Sequence, residues 1–359
     1  MAKQTKYKKE KEINFNLNGF SGDFIVMYSG GKDSTAALLF VMNYIKNYNK
    51  KNRIRVLFAD TGIEHDYTYE YINYIEKELN INVEHINNNK FVDICVEKKM
   101  FPRPRQRFCT KELKVKAFRT WIHTNYIQQG KETGRDFIVV QGIRAEESAR
   151  RAAVYAEFNI KTYKVNYKPF SVIYWNPILH WTTADVFEYI EDNGLQQNKV
   201  YIKLGLQRAS CYPCIMSNLQ EIKHIATDSA ALKRIVEMEK ALFYSRKSNN
   251  EDSAYTPFFQ DYNKQKYLTE KMLMMDEVTN DEEFFLAVLL YKLTEEFKME
   301  LNADLRKLRK IKKAEAEPEV EQMLEFLKES FKNYKENKKA KGAAGETEGA
   351  AEGGENGLI

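Results

Sequence analysis

Apolar positions along this 359-residue chain follow two rhythms. Short unbroken runs rich in β-branched and aromatic residues stand at 24–28 ("FIVMY"), 53–60 ("RIRVLFAD"), 81–86 ("INVEHI") and 136–143 ("DFIVVQGI"). Runs of that length and composition predict buried strands. Between them the spacing changes to three and four. Ala36, Leu39, Met42 and Ile45 recur on one face of a helix predicted over 35–48. Helices are also predicted over 67–79 and 111–127. The alternation of strand and helix predicts an α/β fold, a parallel sheet with helices on both faces. Ligands of such sheets lie beyond the carboxyl ends of the strands. Three polar clusters follow strands directly: "SGGKDS" (29–34), "ADTGIEH" (59–65) and "GIRAEES" (142–148). They are expected to meet on one edge of the sheet.

After about residue 216 the pattern becomes helical, with "LKRIVEMEKALFY" and "EEFFLAVLLYKLTEEF" as its strongest stretches. Pro318 is expected to start a last helix reaching about Tyr334. The expected organisation is a basic lead-in over 1–22, a nucleotide-binding domain over 23–220, a helical C-terminal region over 221–335 and a disordered tail over 336–359. The tail is rich in Gly, Ala and Glu and poor in apolar residues.

"SGGKDS" carries the first chemistry. Two glycines between a strand and a helix allow tight backbone angles and leave room for a ligand. Free amides and the dipole at a helix start favour an anion. Lys32 adds a cation, and Ser29 and Ser34 add hydroxyls. Asp33 repels phosphate, so it is expected to cap the helix or to face a magnesium ion. In "ADTG", Asp60 is a candidate for ribose or magnesium, or a plain turn cap. Arg144, with Arg150 and Arg151 beyond it, offers guanidinium forks suited to an anion. His180, before the expected Thr182 or Thr183 helix cap, is assigned no chemistry.

Composition narrows the class without choosing within it. Apolar residues make up 43% of the chain, enough for a globular core. The net charge of +5 points only weakly to a nucleic-acid partner. The run at 284–291 is too short to span a bilayer, and the charged start "MAKQTKYKKEKE" is followed by no apolar signal core. The reading is of a cytoplasmic protein with no membrane partner. Four cysteines in such a chain do not suggest a disulfide framework. "CYPC" (Cys211, Cys214) permits zinc, an iron–sulfur cluster or a redox dithiol.

Taken in order, "YSGGKDS", "LFADTGIEHDYTYEYI", "RFCTKELKVKAF", "VVQGIRAEESARRA", "WNPILHWTTADVFEYIEDNGL" and "GLQRASCYPC" resemble the phosphoadenosine phosphosulfate (PAPS) reductase family, within the PP-loop (ATP pyrophosphatase-like) superfamily. The resemblance covers about residues 24–220. It implies that Ser29, Gly30, Gly31, Asp33, Ser34, Asp60, Thr61, Gly62, Gly142 and Arg144 bind an adenine nucleotide and its pyrophosphate. Lys32, Asp33 and Arg144 would be catalytic, and Lys114 and Arg150 would contact anions. Cluster-bearing members hold a [4Fe–4S] cluster with two adjacent cysteines and a later CxxC pair. Here Phe108 takes the first place, leaving Cys109, Cys211 and Cys214 as metal ligands, for an open cluster or for zinc. Cys95 is expected in the core.

The family's reductases attack with a cysteine near the C-terminus, and no cysteine follows Cys214 in this sequence. The expected activity is therefore of the family's other branch. It binds ATP or a related adenylyl nucleotide with magnesium and acts at the α-phosphate. Pyrophosphate is released, and the chemistry is linked to sulfur transfer onto a nucleic-acid or protein acceptor. Two alternatives stand beside it. One is a reductase of PAPS or adenylyl sulfate with a non-standard thiol. The other is a non-catalytic nucleotide sensor. A homo-oligomer is permitted by the sequence and not specified by it.

Overall fold

The computed structural model describes residues 20–289, apart from 49–50, 87–89, 128–136, 155–159, 165–170, 210 and 249–254, together with parts of 291–299. Most of the lead-in, the helix expected after Pro318 and the tail lie outside the described residues.

The sheet has six strands in the order β3-β2-β1-β4-β6-β5. They are β1 (Asp23–Tyr28), β2 (Ile54–Phe58), β3 (Val83–His85), β4 (Phe137–Gln141), β5 (Ile160–Lys164) and β6 (Ser171–Trp175). Five run parallel, and edge strand β5 runs antiparallel to β6. That antiparallel edge is one departure from the expected sheet. β5 and β6 are the two strands that the apolar pattern did not reveal. β1 and β4 sit at the centre, and their continuous apolar runs are covered on both faces.

Helices α1 (Lys32–Asn47), α2 (Asp66–Leu79) and α6 (Thr183–Asp192) cover one face, packing Ala36, Leu39, Ile72 and Val186 with Val26 and Val140. On the other face lies a helical run over 110–127. It consists of two π-helical segments, Thr110–Val115 and His123–Ile127, flanking α4 (Lys116–Ile122). Phe118, Ile122 and Tyr126 pack there on Ile25, Leu57 and Val139. The cap of α6 is Thr182, whose hydroxyl accepts the Asp185 N–H at 3.2 Å while the Asp185 carboxylate accepts the Thr182 N–H at 2.7 Å.

A third core joins α3 (Phe91–Glu97) to the later helices α8 (Leu219–Ile225), α9 (Ser229–Ser248), α10 (Tyr262–Met272) and α11 (Asp276–Thr279). Phe91, Phe101, Phe108 and Leu113 pack there with Ile222, Ile235, Phe258 and Leu268. The compact unit accordingly runs through Leu289. Among the described residues no helix is long and apolar enough to cross a membrane.

Within the third core Glu239 is only 1% exposed. Its carboxylate accepts from Tyr255 Oη, Phe258 N (2.6 Å) and Gln265 Nε2 (3.1 Å). Burial outweighs those three donors and pushes its pKa up from 4.5 to about 7. Between these values the folded protein holds a proton that the unfolded chain releases. This contribution to stability is therefore full below the lower value and lost as pH rises through about 7. It amounts to about 3 kcal/mol. Glu239→Gln is expected to remove that slope and to be the more stable protein at pH 8. Urea midpoints of both proteins measured from acid to alkaline pH check it; parallel profiles would contradict it.

Candidate functional site

The loops after β1, β2 and β4 converge, as expected, beyond the carboxyl edge of the sheet. Together with residues 200–221 they enclose a cavity of about 620 Å³. That is within the usual range for a small-molecule site.

The loop after β1 forms one wall. Gly31, not Asp33, is the N-cap of α1, and the helix begins at Lys32, three residues earlier than its apolar rhythm indicated. Lys32, Asp33 and Ser34 thus make up the first turn, whose amides have no acceptor within the helix. Gly30 has φ +69°, and a Cβ there would stand 2.8 Å from Thr68 Cγ2. The loop is braced by its own side chains. Ser34 Oγ accepts the Ser29 N–H at 3.2 Å and donates to Gly31 O at 3.0 Å, while Asn198 Nδ2 donates to Gly30 O at 2.9 Å. Lys32 Nζ donates to Asp33 Oδ2 at 3.0 Å.

Tyr201, which the sequence did not single out, completes this wall. Its hydroxyl oxygen accepts two backbone N–H groups, Lys32 at 3.0 Å and Ala209 at 3.3 Å. Its own proton has no acceptor among the described residues, and the side chain lines the cavity. Burial raises its pKa to about 12, with the two amides pulling the other way. It is a neutral hydroxyl beside the loop after β1. Tyr201→Phe leaves the Lys32 and Ala209 amides without that acceptor, so it is expected to lower the melting temperature by a few degrees as well as to weaken nucleotide binding about tenfold. Titration with a nucleotide, alongside a melting curve, checks both halves.

Arg144 does not present a free fork to the cavity. It is 3% exposed, and its donors are committed: Nε to Asp33 Oδ1 at 2.5 Å, Nη1 to Glu146 and to Trp181 O, Nη2 to Thr183 Oγ1 at 3.1 Å. It ties the β4 loop to the start of α1 and to α6. Gly142 serves the same junction, because its α-carbon lies against the backbone of Asp33 and Ser34. Arg151 lines the cavity and pairs with Glu147. The side chain of Arg150 lies outside the described residues.

The loop after β2 divides its residues between structure and site. Asp60 Oδ1 accepts from Gly62 N at 2.9 Å and Tyr69 Oη at 2.7 Å. Burial opposes its ionisation, but these bonds and His85 prevail and lower its pKa. Asp60 and Gly62 form a turn and do not line the cavity, whereas Thr61 does. Thr61 donates from N and Oγ1 to the buried Glu64 at 3.1 and 2.7 Å. His65 also lines the cavity and caps α2 with Nδ1, and burial lowers its pKa.

Cys109, Cys211 and Cys214 also line the cavity, with Lys114 among them. Cys211 Sγ lies 3.5 Å from Thr61 Oγ1 and 3.8 Å from Glu64 Oε1. Arg234 of α9 fixes the CxxC loop by donating to Glu64 O at 3.2 Å and Tyr212 O at 2.9 Å. Burial pushes the Cys211 thiol up to about 11, with Lys114 pulling it down, and burial also raises Cys109 and Cys214. Lys114 is held above its ordinary value chiefly by Cys211, then by Glu64 and the other thiols, against its own burial. Cys95 is 1% exposed and packs in the third core. Among the described residues no group of three or more His, Cys, Asp or Glu side chains is placed to hold a metal ion. The three thiols also fall one short of the four donors of a closed tetrahedral site or a fully thiolate-ligated cluster.

Residues 23–217 match the family model of the phosphoadenosine phosphosulfate reductase domain. A 37.8 kDa protein of Escherichia phage 186 is 29% identical over 274 residues, covering 63% of this chain and 77% of its own. A protein of Methanocaldococcus jannaschii is 26% identical over 204 residues, which is 56% of this chain and 38% of the relative. The adenosine 5'-phosphosulfate reductase of Salinibacter ruber is 25% identical over 162 residues, 44% of this chain and 56% of the relative. The matches thus reach less than two thirds of the length of the archaeal relative and of this reductase. Among solved structures, the phosphoadenylyl-sulfate (PAPS) reductase of Candida auris aligns with a TM-score of 0.38 and 14% identity, covering 57% of this chain and 89% of that one.

Proposed function

Since the chain belongs to the phosphoadenosine phosphosulfate reductase domain family, we propose that it binds ATP or a related adenylyl nucleotide and acts at the α-phosphate, releasing pyrophosphate. The observation that supports this is the placement of two unlike groups of residues on one cavity. The loop after β1 with Lys32 and Tyr201 lines it, and so does Lys114 with three thiols. A nucleotide whose terminal phosphates occupy the loop would have its α-phosphorus further along the same cavity.

The chemistry assigned to each residue follows from that placement. First-turn amides of α1, the Ser29 and Ser34 hydroxyls and Lys32 take the charge that develops on the leaving pyrophosphate. Asp33 is the loop carboxylate on the cavity, and would face the magnesium that arrives with ATP. An acceptor oxygen bonds to the α-phosphorus as the bond to the bridging oxygen breaks, and pyrophosphate leaves with the electron pair. With water as acceptor the products are AMP, pyrophosphate and a proton. Sulfur transfer, which the family resemblance suggests, would involve the three thiols that line the same cavity with Lys114. A reductase attack by Cys211 is the weaker reading. A thiol with a pKa near 11 is protonated at neutral pH and is a poor nucleophile.

Lys32→Ala is expected to lower the conversion of ATP to AMP about a hundredfold or more. Chromatographic product analysis checks it. Unchanged turnover would remove the loop from the chemistry. Tight binding with no product from the parent protein would favour a sensor.

A further inference from the structure

Residues 98–119 carry nine Lys and Arg side chains against a single carboxylate, Glu112. Two structures present them. The first is a tight antiparallel turn in which the backbones of Arg103 and Gln106 exchange hydrogen bonds at 3.2 and 3.0 Å. Buried Phe101 and Phe108 anchor its two ends in the third core, and Arg103, Arg105 and Arg107 remain exposed. The second is the helical run that follows at once, with Lys111, Lys116 and Arg119 exposed. Lys116 pairs with Glu112 and Lys98 lies over the Phe108 ring. Arg103, Arg105, Arg107, Lys111 and Arg119 make no ion pair among the described residues.

We infer that this turn and helix form a docking surface for the phosphodiester backbone of a nucleic acid. Charge complementarity selects a polyanion. Four of the five unpaired cations are arginines, whose planar forks match phosphate oxygens. None of the large exposed apolar side chains falls within 98–119, so the surface lacks the anchors that a protein interface or an inserted membrane contact needs. Position adds to the argument. Arg107 belongs both to this surface and to the cavity, on the side of Cys109 and Lys114. A strand lying on the turn reaches the cavity beside its thiols. The assignment of this partner as the acceptor rests on the proposed nucleotide chemistry; the binding itself does not.

The test is fluorescence anisotropy of the full chain with a labelled DNA duplex of about 30 base pairs, without ATP, over about 50 to 300 mM salt. The variant carries Arg103→Gln, Arg105→Gln, Lys111→Gln and Arg119→Gln, sparing Arg107 and Lys114. Lys46→Gln, Lys77→Gln, Lys203→Gln and Lys266→Gln together form a control with equal charge loss elsewhere. The parent and the control are expected to bind with a steep salt dependence. The surface variant is expected to bind at least about tenfold more weakly, with a log–log salt slope shallower by about 3 to 4. Its ATP cleavage with water as acceptor should match the parent's. No duplex binding by the parent, or equal losses in both variants, would overturn the inference. So would capture of phosphatidylserine vesicles in place of duplex through the same four residues. Duplex binding without ATP cleavage would instead leave the surface standing and remove the nucleotide chemistry.

Discussion

Arg144→Ala is expected to destabilise the protein by about 3 kcal/mol or more and to abolish nucleotide turnover at the same time. The Arg144 side chain is 4% exposed and holds the carboxylates of Asp33 and Glu146, the Trp181 carbonyl and the Thr183 hydroxyl in one grip. Its removal leaves Asp33 with Lys32 alone at the start of α1. Glu146 keeps the Thr183 N–H at 2.8 Å but loses its cation. Arg144→Lys is expected to recover only part of the loss, because one ammonium cannot serve three directions. A denaturation midpoint and a turnover assay on each variant separate this role from that of a ligand contact. If Arg144 only touched the nucleotide, KM would rise while the midpoint stayed where it was.

Gly142→Ala is the second large effect. The added methyl would stand 2.6 Å from the carbonyl carbon of Asp33 and 2.7 Å from Ser34 N. These are backbone atoms of the first turn of α1, so no rotamer change relieves the clash. Either the turn or the β4 loop must shift, and the anion loop opens. A displacement of that size at a binding wall is expected to cost about a hundredfold in turnover. Glycine at 142 is needed for this close approach, not for an unusual φ. Gly30→Ala meets both constraints, since its φ is +69° and its neighbour is Thr68. Near-parent turnover in Gly142→Ala would mean that the two loops are not rigidly coupled.

Much of the architecture could be read from local pattern. The strands at 24–28, 53–60, 81–86 and 136–143 are short apolar runs, fully covered in central β1 and β4 and partly covered in β2 and edge strand β3, and runs of that kind announce themselves. β6 did not, although "SVIYW" has the right composition. It follows the polar stretch "NIKTYKVNYK" and pairs with the antiparallel edge strand formed there. The meeting of three loops at the sheet edge was legible because each follows a parallel strand. What those loops do to one another was not. Arg144 finds Asp33 across 111 positions, and Tyr201 reaches the Lys32 amide across 169. Residue type alone makes Arg144 a candidate anion contact and leaves Asp60 a candidate for ribose, magnesium or a turn cap. Three-dimensional contacts commit both to holding loops in place. Tyr201 carried no signal beyond its neighbours, since a tyrosine on a short helix is ordinary until its oxygen is found against two amides. The cations of 98–119 stand in the sequence, but which of them stay unpaired is set by the fold.

Attack at the α-phosphorus is tested by running the reaction in water enriched in oxygen-18. Phosphorus NMR of the full chain with ATP and magnesium reports which bond breaks. Cleavage of the bond between the α-phosphorus and the bridging oxygen is predicted, giving AMP that carries the solvent oxygen and unlabelled pyrophosphate in equal amounts. ADP and inorganic phosphate as the first products would contradict the account, because the anion loop would then hold a nucleotide cut at the wrong bond.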